Sequence, residues 1–222
     1  MSQNNQYTEI NKIINEYCSN PDKVDNIFFI QVGAHDGITG DPINNYVYKY
    51  GWRGILVEPV PYLFKKLQNT YDGVEGLFFE NIAISDHDGY ALFYRIEENN
   101  DSNMPHWYDQ LGSFRKEVVE KHRNSIPNFE KHLLAEKVPC MTFHSLLSKY
   151  NINDIDYFQI DTEGYDFEVI KQIPFTSIKP AMMLYEHKHL SPSDKQDCES
   201  LLIKQGYKLI LTDSCAFAYL PQ

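Results

Sequence analysis

The stretch Phe28-Phe29-Ile30-Gln31-Val32-Gly33-Ala34-His35-Asp36-Gly37 decides the fold, because an apolar, β-favouring run passes directly into a turn punctuated by two glycines. A short run of this kind, without polar alternation, reads as a strand buried on both faces, and the glycines behind it open backbone angles closed to other residues. The expectation is a first parallel strand delivering a ligand loop.

Working outward, Asp41-Pro42 has the form of a helix N-cap followed by proline at the first helical position, and the helix runs through Tyr50 to a closing Gly51. Arg53-Gly54-Ile55-Leu56-Val57-Glu58 is a second apolar run ending in an acid, and Pro59 or Pro61 opens a helix carrying Leu63, Phe64 and Leu67. Residues 76–84 are a third strand candidate, and the turn Asp86-His87-Asp88-Gly89 leads to Tyr90-Ala91-Leu92-Phe93-Tyr94 as an antiparallel extension of the same sheet. Residues 138–143 read as β, followed by a helix with Leu146 and Leu147. Residues 155–160 form another buried strand, ending in Asp161-Thr162-Glu163-Gly164, and a helix with Phe167, Ile170 and Ile173 stops at Pro174. Residues 181–187 are a fifth central strand, a helix over 192–205 closes at Gly206, and residues 207–211 and 215–220 make a final β pair.

This alternation predicts an α/β fold: a mostly parallel sheet with helices on both faces and an antiparallel strand at the C-terminal end. Residues 1–26 read as an N-terminal helical extension, with Ile10, Ile13, Ile14 and Tyr17 at helical spacing. Residues 97–137 break the pattern with Asn, Asp and Ser clusters and read as a helical insertion over the carboxyl edge of the sheet, above the active-site cleft.

At 222 residues, 42% hydrophobic, residues 1–222 suit one domain with one sizeable core. The net charge of -11 argues against a surface that tracks phosphate backbones, so a polynucleotide partner is not expected. The N-terminal residues are polar, with neither a basic start before an apolar run nor a stretch fit to span a membrane. Cys18, Cys140, Cys198 and Cys215 lie far apart, without the spacing of a zinc site or a disulfide framework, and suit reduced thiols in a cytoplasmic protein.

In an open α/β sheet, ligands bind beyond the carboxyl ends of the strands, where strand order reverses. Gly33 to Gly37, Glu58, Asn81, Asp161, Glu163, Glu186 and His187 all stand at or just past an expected strand end, although they are scattered through the chain. A dinucleotide site needs G-x-G-x-x-G, with the second glycine admitting the pyrophosphate, and here that position is His35. An adenosine cofactor without phosphates has no such need. S-adenosylmethionine answers this description, with Glu58 placed to accept both ribose hydroxyl protons. An NAD-dependent oxidoreductase and a non-catalytic S-adenosylmethionine-binding domain remain as alternatives, since fold alone separates neither.

Four segments in order carry a resemblance: residues 30–37, Val57-Glu58-Pro59, Glu80-Asn81-Ile82-Ala83-Ile84-Ser85, and Phe158-Gln159-Ile160-Asp161-Thr162-Glu163-Gly164-Tyr165-Asp166. The chain resembles the FkbM family of S-adenosylmethionine-dependent methyltransferases. The resemblance implies the class I methyltransferase (Rossmann-like) fold and O-methylation of a hydroxyl on a sugar, glycoconjugate or other small natural product. It implies that Gly33, Ala34, His35, Asp36 and Gly37 lie against the methionine and ribose, and that Glu58, with Pro59, holds the ribose. It further implies that Asn81 and Ile82 border the adenine and that Asp161 lies nearest the transferred methyl. Ser113, in a serine-containing segment like the family's, would bond the cofactor carboxylate. Gln31 departs from the family, which often carries Asp there. Asn81 reads equally as a turn-stabilising amide and Ser113 as a helix cap.

Methyl transfer is an in-line displacement that must align acceptor oxygen, methyl and sulfonium and relieve the acceptor of its proton. The candidate catalytic residues are Asp161, Glu163, Glu186 and His187. In one mechanism His187, or less favourably His35, takes the proton directly. In the other, Asp161, Glu163 and Glu186 hold a divalent cation such as magnesium that lowers the acceptor's pKa. The direct base is preferred. Glu163 also reads as a helix N-terminal acid, and His187 and His189 as strand-end residues. Trp107, Tyr108 and Phe114 read either as a stacking platform for a small-molecule or saccharide acceptor or as ordinary packing.

Overall fold

Residues 3–23, 26–99 and 101–221 are described by the structure, a computed structural model. Positions 1, 2, 24 and 25 of the N-terminal extension, position 100 of the insertion and position 222 lie outside the described residues. In chain order the elements are α1 (Gln3–Cys18), β1 (Phe28–Val32), α2 (Pro42–Tyr50), β2 (Arg53–Val57), α3 (Pro61–Thr70), β3 (Leu77–Glu80), β4 (Ala83–Ile84) and β5 (Gly89–Ile96). They continue with β6 (Gly112–Ser113), α4 (Lys116–Glu120), α5 (Phe129–His132), β7 (Leu133–Met141), α6 (Phe143–Tyr150), β8 (Tyr157–Ile160), α7 (Asp166–Ile170), β9 (Met182–Glu186), α8 (Pro192–Lys204), β10 (Lys208–Leu211) and β11 (Cys215–Tyr219).

The main sheet runs β10-β11-β9-β8-β1-β2-β3, and every neighbouring pair is parallel except those made by β11. The chain steps outward from β1 to β3, then returns to β8 on the other side of β1. Strand order therefore reverses between β1 and β8, where a ligand crevice opens beyond the carboxyl ends.

β1 is covered on both faces. Ile30 and Val32 join Phe158, Phe143, Leu146, Ile170 and Leu202 in one core, while Phe29 joins Leu56, Tyr157, Ile10, Ile14, Val47 and Trp52 in the other. This alternation of one strand between two cores explains why its sequence is apolar throughout. The punctuation also acts as expected: the Asp41 side chain accepts from the Ile43 N–H at the start of α2, and Gly51 closes that helix in the left-handed conformation.

Two expectations are corrected. Residues 76–84 are not one strand, and β5 does not extend the main sheet; β4 and β5 belong to a second sheet ordered β4-β7-β5-β6. The break falls at Asn81, whose Nδ2 donates to the carbonyls of Glu58 (2.8 Å) and Pro59 (3.1 Å) and turns the chain out of the first sheet. The segment 97–137 carries α4, α5 and two 3-10 turns, but its last five residues already belong to β7, which pairs with β5 along eight residues. Between them, the insertion builds its own core from Leu111, Val119, Ile126 and Phe129, with Trp107 and Tyr108 packed against it. No helix among the described residues is long and apolar enough to cross a membrane.

Candidate functional site

Gly33 begins the cleft, and two constraints require it. Its φ is +83°, and a Cβ there would lie 1.8 Å from the Asp161 carbonyl oxygen, so β1 and β8 leave the sheet in close contact. The loop then spends its backbone donors internally. Gly33 and Ala34 N–H both donate to Val57 O (2.9 and 3.0 Å), and His35 N–H donates to Glu58 Oε2 (2.9 Å). Asp36 accepts from the amides of Ile38 and Thr39 and from the Thr39 hydroxyl. These bonds outweigh burial and hold Asp36 down at about 2.

Glu58 is the hub of this side. Its second oxygen accepts from Val60 N–H (2.9 Å), so one buried carboxylate joins the β1 loop to the start of α3. Two acceptor positions remain for further donors. Burial pushes Glu58 up to about 6 against the downward pull of its two amide bonds. Asp41, also on the cleft, is likewise raised by burial to about 6.

On the opposite side stand the groups delivered by β8 and β9. Asp161 opens onto the cleft and is exposed there; desolvation by the surrounding protein and then the charge of Glu163 raise its pKa. Glu186 is also raised, by burial and then by Asp161. Asp166, which accepts from the Thr162 hydroxyl (2.8 Å) and Glu186 N–H (3.1 Å), is raised by burial and then by Asp161. Glu163 has φ +50°, unusual for a residue with a side chain. His189 Nε2 lies 3.0 Å from Glu163 Oε2 and 3.7 Å from Glu186 Oε2. Ser113 ties the insertion to this loop: its hydroxyl donates to Glu163 O (2.7 Å) and accepts from Arg115 N–H (3.0 Å).

The cleft thus formed holds about 230 Å³ of open space. Gly33, Ala34, His35, Glu58, Pro59, Ile82, Asp161 and Glu163 line it. Asp36 and Gly37 instead shape the turn behind it. Asn81 acts through the carbonyls it holds, and Ser113 is fully buried as a latch. His187 is turned away: its Nε2 sits 3.1 Å from the carbonyls of Thr212 and Cys215, which fixes the β10–β11 hairpin and corrects its assignment as base. Trp107 and Tyr108 pack within the insertion, so the aromatic platform reduces to Phe114, which lines the cleft and packs edge-on to Phe93 and Tyr165. The cation set is corrected too: among the described residues, Glu163 and Glu186 group with His189 rather than with Asp161.

Gln159 and Asp109 were not singled out from the sequence, and Gln31 only as a departure from the family. Gln31 and Gln159 are register partners on β1 and β8, both buried, and the Oε1 of each lacks a partner. The signal was present, since each is the polar residue in an apolar strand. Asp109, whose Oδ1 lies 3.6 Å from His35 Nε2, comes from the insertion. Burial pulls His35 down, but Asp109, Asp36 and Glu58 together raise it.

Among the described residues the lining includes five carboxylates, Asp41, Glu58, Asp109, Asp161 and Glu163, and neither Lys nor Arg. A pyrophosphate would meet spent amides and like charge here. S-adenosylmethionine fits: its sulfonium and ammonium suit the anionic wall, its donors suit the orphaned oxygens of Gln31 and Gln159, and Val60, Leu63, Ile82 and Phe93 supply an apolar wall for a purine.

Sheet order, reversal point and cleft define a class I methyltransferase. Residues 31–209 match the Methyltransferase FkbM domain, and the chain belongs to the FkbM family of S-adenosylmethionine-dependent methyltransferases. The structure resembles the FkbM methyltransferase of Methylobacillus flagellatus KT at a TM-score of 0.54 and 14% identity, covering 88% of this chain and 44% of that one. The chain therefore spans less than half the length of that protein. It also resembles the N-terminal domain of human METTL16 in complex with SAH (TM-score 0.47, 11% identity, 99% of this chain and 70% of that one). A third likeness is to a precorrin-6y C5,15-methyltransferase from Geobacter metallireducens GS-15 (0.45, 9%, 95% and 88%). A comparison with curated proteins finds no significant match.

Proposed function

We propose that residues 1–222 form one methyltransferase domain, with the insertion as a cover over the cleft, that methylates a hydroxyl of a sugar, glycoconjugate or other small natural product. The observation that carries this reading is the cleft at the β1/β8 reversal, rich in carboxylates and free of Lys and Arg, which favours a cationic methyl donor and a neutral, hydroxyl-bearing acceptor.

When bound, S-adenosylmethionine supplies an electrophilic methyl on sulfur. The chain's own part would be to hold the acceptor oxygen in line with that methyl and to take up the hydroxyl proton that the acceptor gives up on methylation. Glu58, held in place by the His35 and Val60 amides, would accept from the ribose hydroxyls. Asp161 receives the acceptor proton from the cleft wall, and Glu163, steadied by His189, orients the acceptor. Alignment is the larger contribution.

Thermal unfolding with S-adenosylmethionine, S-adenosylhomocysteine and NAD in parallel tests the cofactor. The first two should each add about 2.7 kcal/mol at about 100 times their dissociation constants, and stabilisation by NAD alone would overturn the reading. Transfer of labelled methyl to a panel of saccharides and small hydroxyl compounds tests the acceptor. Binding of S-adenosylhomocysteine with no transfer to any of them would support the non-catalytic alternative.

A further inference from the structure

We propose that Glu163, Glu186 and His189 bind a divalent first-row metal ion at the wall of the cleft. The three donors come from separate places: the loop after β8, the last residue of β9, and the turn before α8. Their ligand atoms all lie within 4.8 Å of one another. Two ligands each about 2.1 Å from a common ion stand roughly 3.0 Å apart at a right angle and roughly 3.4 Å apart in a tetrahedron. The 3.0 Å from His189 Nε2 to Glu163 Oε2 is the right-angle spacing, and the 3.7 Å to Glu186 Oε2 is a few tenths of an ångström beyond the tetrahedral one, a gap that a small side-chain shift closes.

A second observation points to a missing ligand. Glu163 Oε2 and Glu186 Oε2 are closed off from solvent, and neither has a hydrogen-bond partner, because the imidazole lies close to both without the geometry of a bond to either. The His189 side chain is 6% exposed, which leaves it no alternative in water. His122, brought by the insertion, packs its ring edge-on to His189 at 5.9 Å, and its buried Nε2 also lacks a partner. Native interiors rarely leave this many polar atoms unsatisfied in one place. The backbone is also committed to the arrangement: Glu163 takes its left-handed conformation while Ser113 grips its carbonyl.

Two carboxylates with one imidazole suit manganese(II), iron(II) or zinc(II) better than magnesium, which prefers oxygen throughout. Because Glu163 lines the cleft, an ion held there borders the space left for the acceptor and would lower the pKa of its hydroxyl. That role rests on the methyltransferase reading. The binding does not.

Chelator-treated protein titrated with manganese(II), followed by the EPR signal of the free ion, should take up one ion per chain. Glu186→Gln and His189→Asn should each weaken uptake at least about tenfold. Pulsed EPR of the wild-type complex needs no variant and should show a coupled imidazole nitrogen. The inference is overturned by any of three results: no saturable uptake of manganese, zinc or magnesium up to about 1 mM, uptake unaffected in both folded variants, or a bound ion with no nitrogen coupling. S-adenosylhomocysteine is titrated into the same samples. Nucleoside binding without metal uptake overturns this inference alone, and metal uptake without nucleoside binding overturns the methyltransferase reading alone.

Discussion

The two walls of the cleft are built on different principles. On the β1/β2 wall, backbone amides do the fixing: Gly33, Ala34, His35 and Val60 direct their N–H groups at Val57 O and the Glu58 carboxylate. On the β8/β9 wall, side chains from distant segments meet one another, with Asp161, Glu163, Asp166, Glu186 and His189 crowded together and two carboxylate oxygens left without a hydrogen-bond donor. The first wall is preorganised by the chain itself, which suits a constant cofactor. The second depends on side-chain identity, which suits a variable acceptor.

The sharpest way to break this contrast is at the point where the walls touch. Gly33→Ala places a methyl group against the Asp161 carbonyl in a backbone conformation that alanine resists. Both walls should move together, at about 4 kcal/mol or more, measured by denaturant unfolding. A loss below about 1 kcal/mol would mean that the strand ends are not locked. Next in size is Asp161→Ala, which should lower turnover about a hundredfold to a thousandfold while S-adenosylhomocysteine binding by calorimetry changes little. Equal losses in binding and rate would show that Asp161 belongs to the cofactor wall instead.

The same contrast explains what could be read in the sequence. β1, its glycine loop, Glu58 and the strand ending at Asp161 follow local rules, so periodicity and punctuation revealed them before any coordinates. The break at Asn81 depends on carbonyls more than twenty residues away, and the start of β7 was hidden by the adjacent charges Glu136 and Lys137, which interrupt its apolar run. His187 and His189 look interchangeable in sequence. Only the hairpin carbonyls of Thr212 and Cys215 separate the first, a structural anchor, from the second, which meets Glu163.

Glu58 allows the cofactor wall to be tested by pH. Its pKa is raised by burial to about 6, so in the free protein its contribution to stability is present at low pH and is lost as pH rises through about 6. Cofactor binding runs the other way, because two ribose hydroxyls need the charged form as acceptor. Affinity for S-adenosylhomocysteine should therefore strengthen as pH rises through about 6. Glu58→Gln should weaken it about tenfold to a hundredfold and flatten that dependence. A variant that binds weakly but keeps the pH profile would assign the titration to another group, with Asp41 the next to test.

The smallest effect belongs to the latch between insertion and acceptor wall. Ser113→Ala removes a buried donor to Glu163 O and the acceptor for Arg115 N–H, which should cost about 1 kcal/mol. In a chain of this size that corresponds to a fall of roughly 2–4 °C in melting temperature. The informative readout is its distribution. If the walls are built as described, loosening Glu163 should raise the acceptor KM and leave the dissociation constant of S-adenosylhomocysteine unchanged, because no bond of Glu58 or the glycine loop passes through Ser113. A variant that loses cofactor affinity instead would place the serine on the cofactor wall, and the division between the two walls would have to be redrawn.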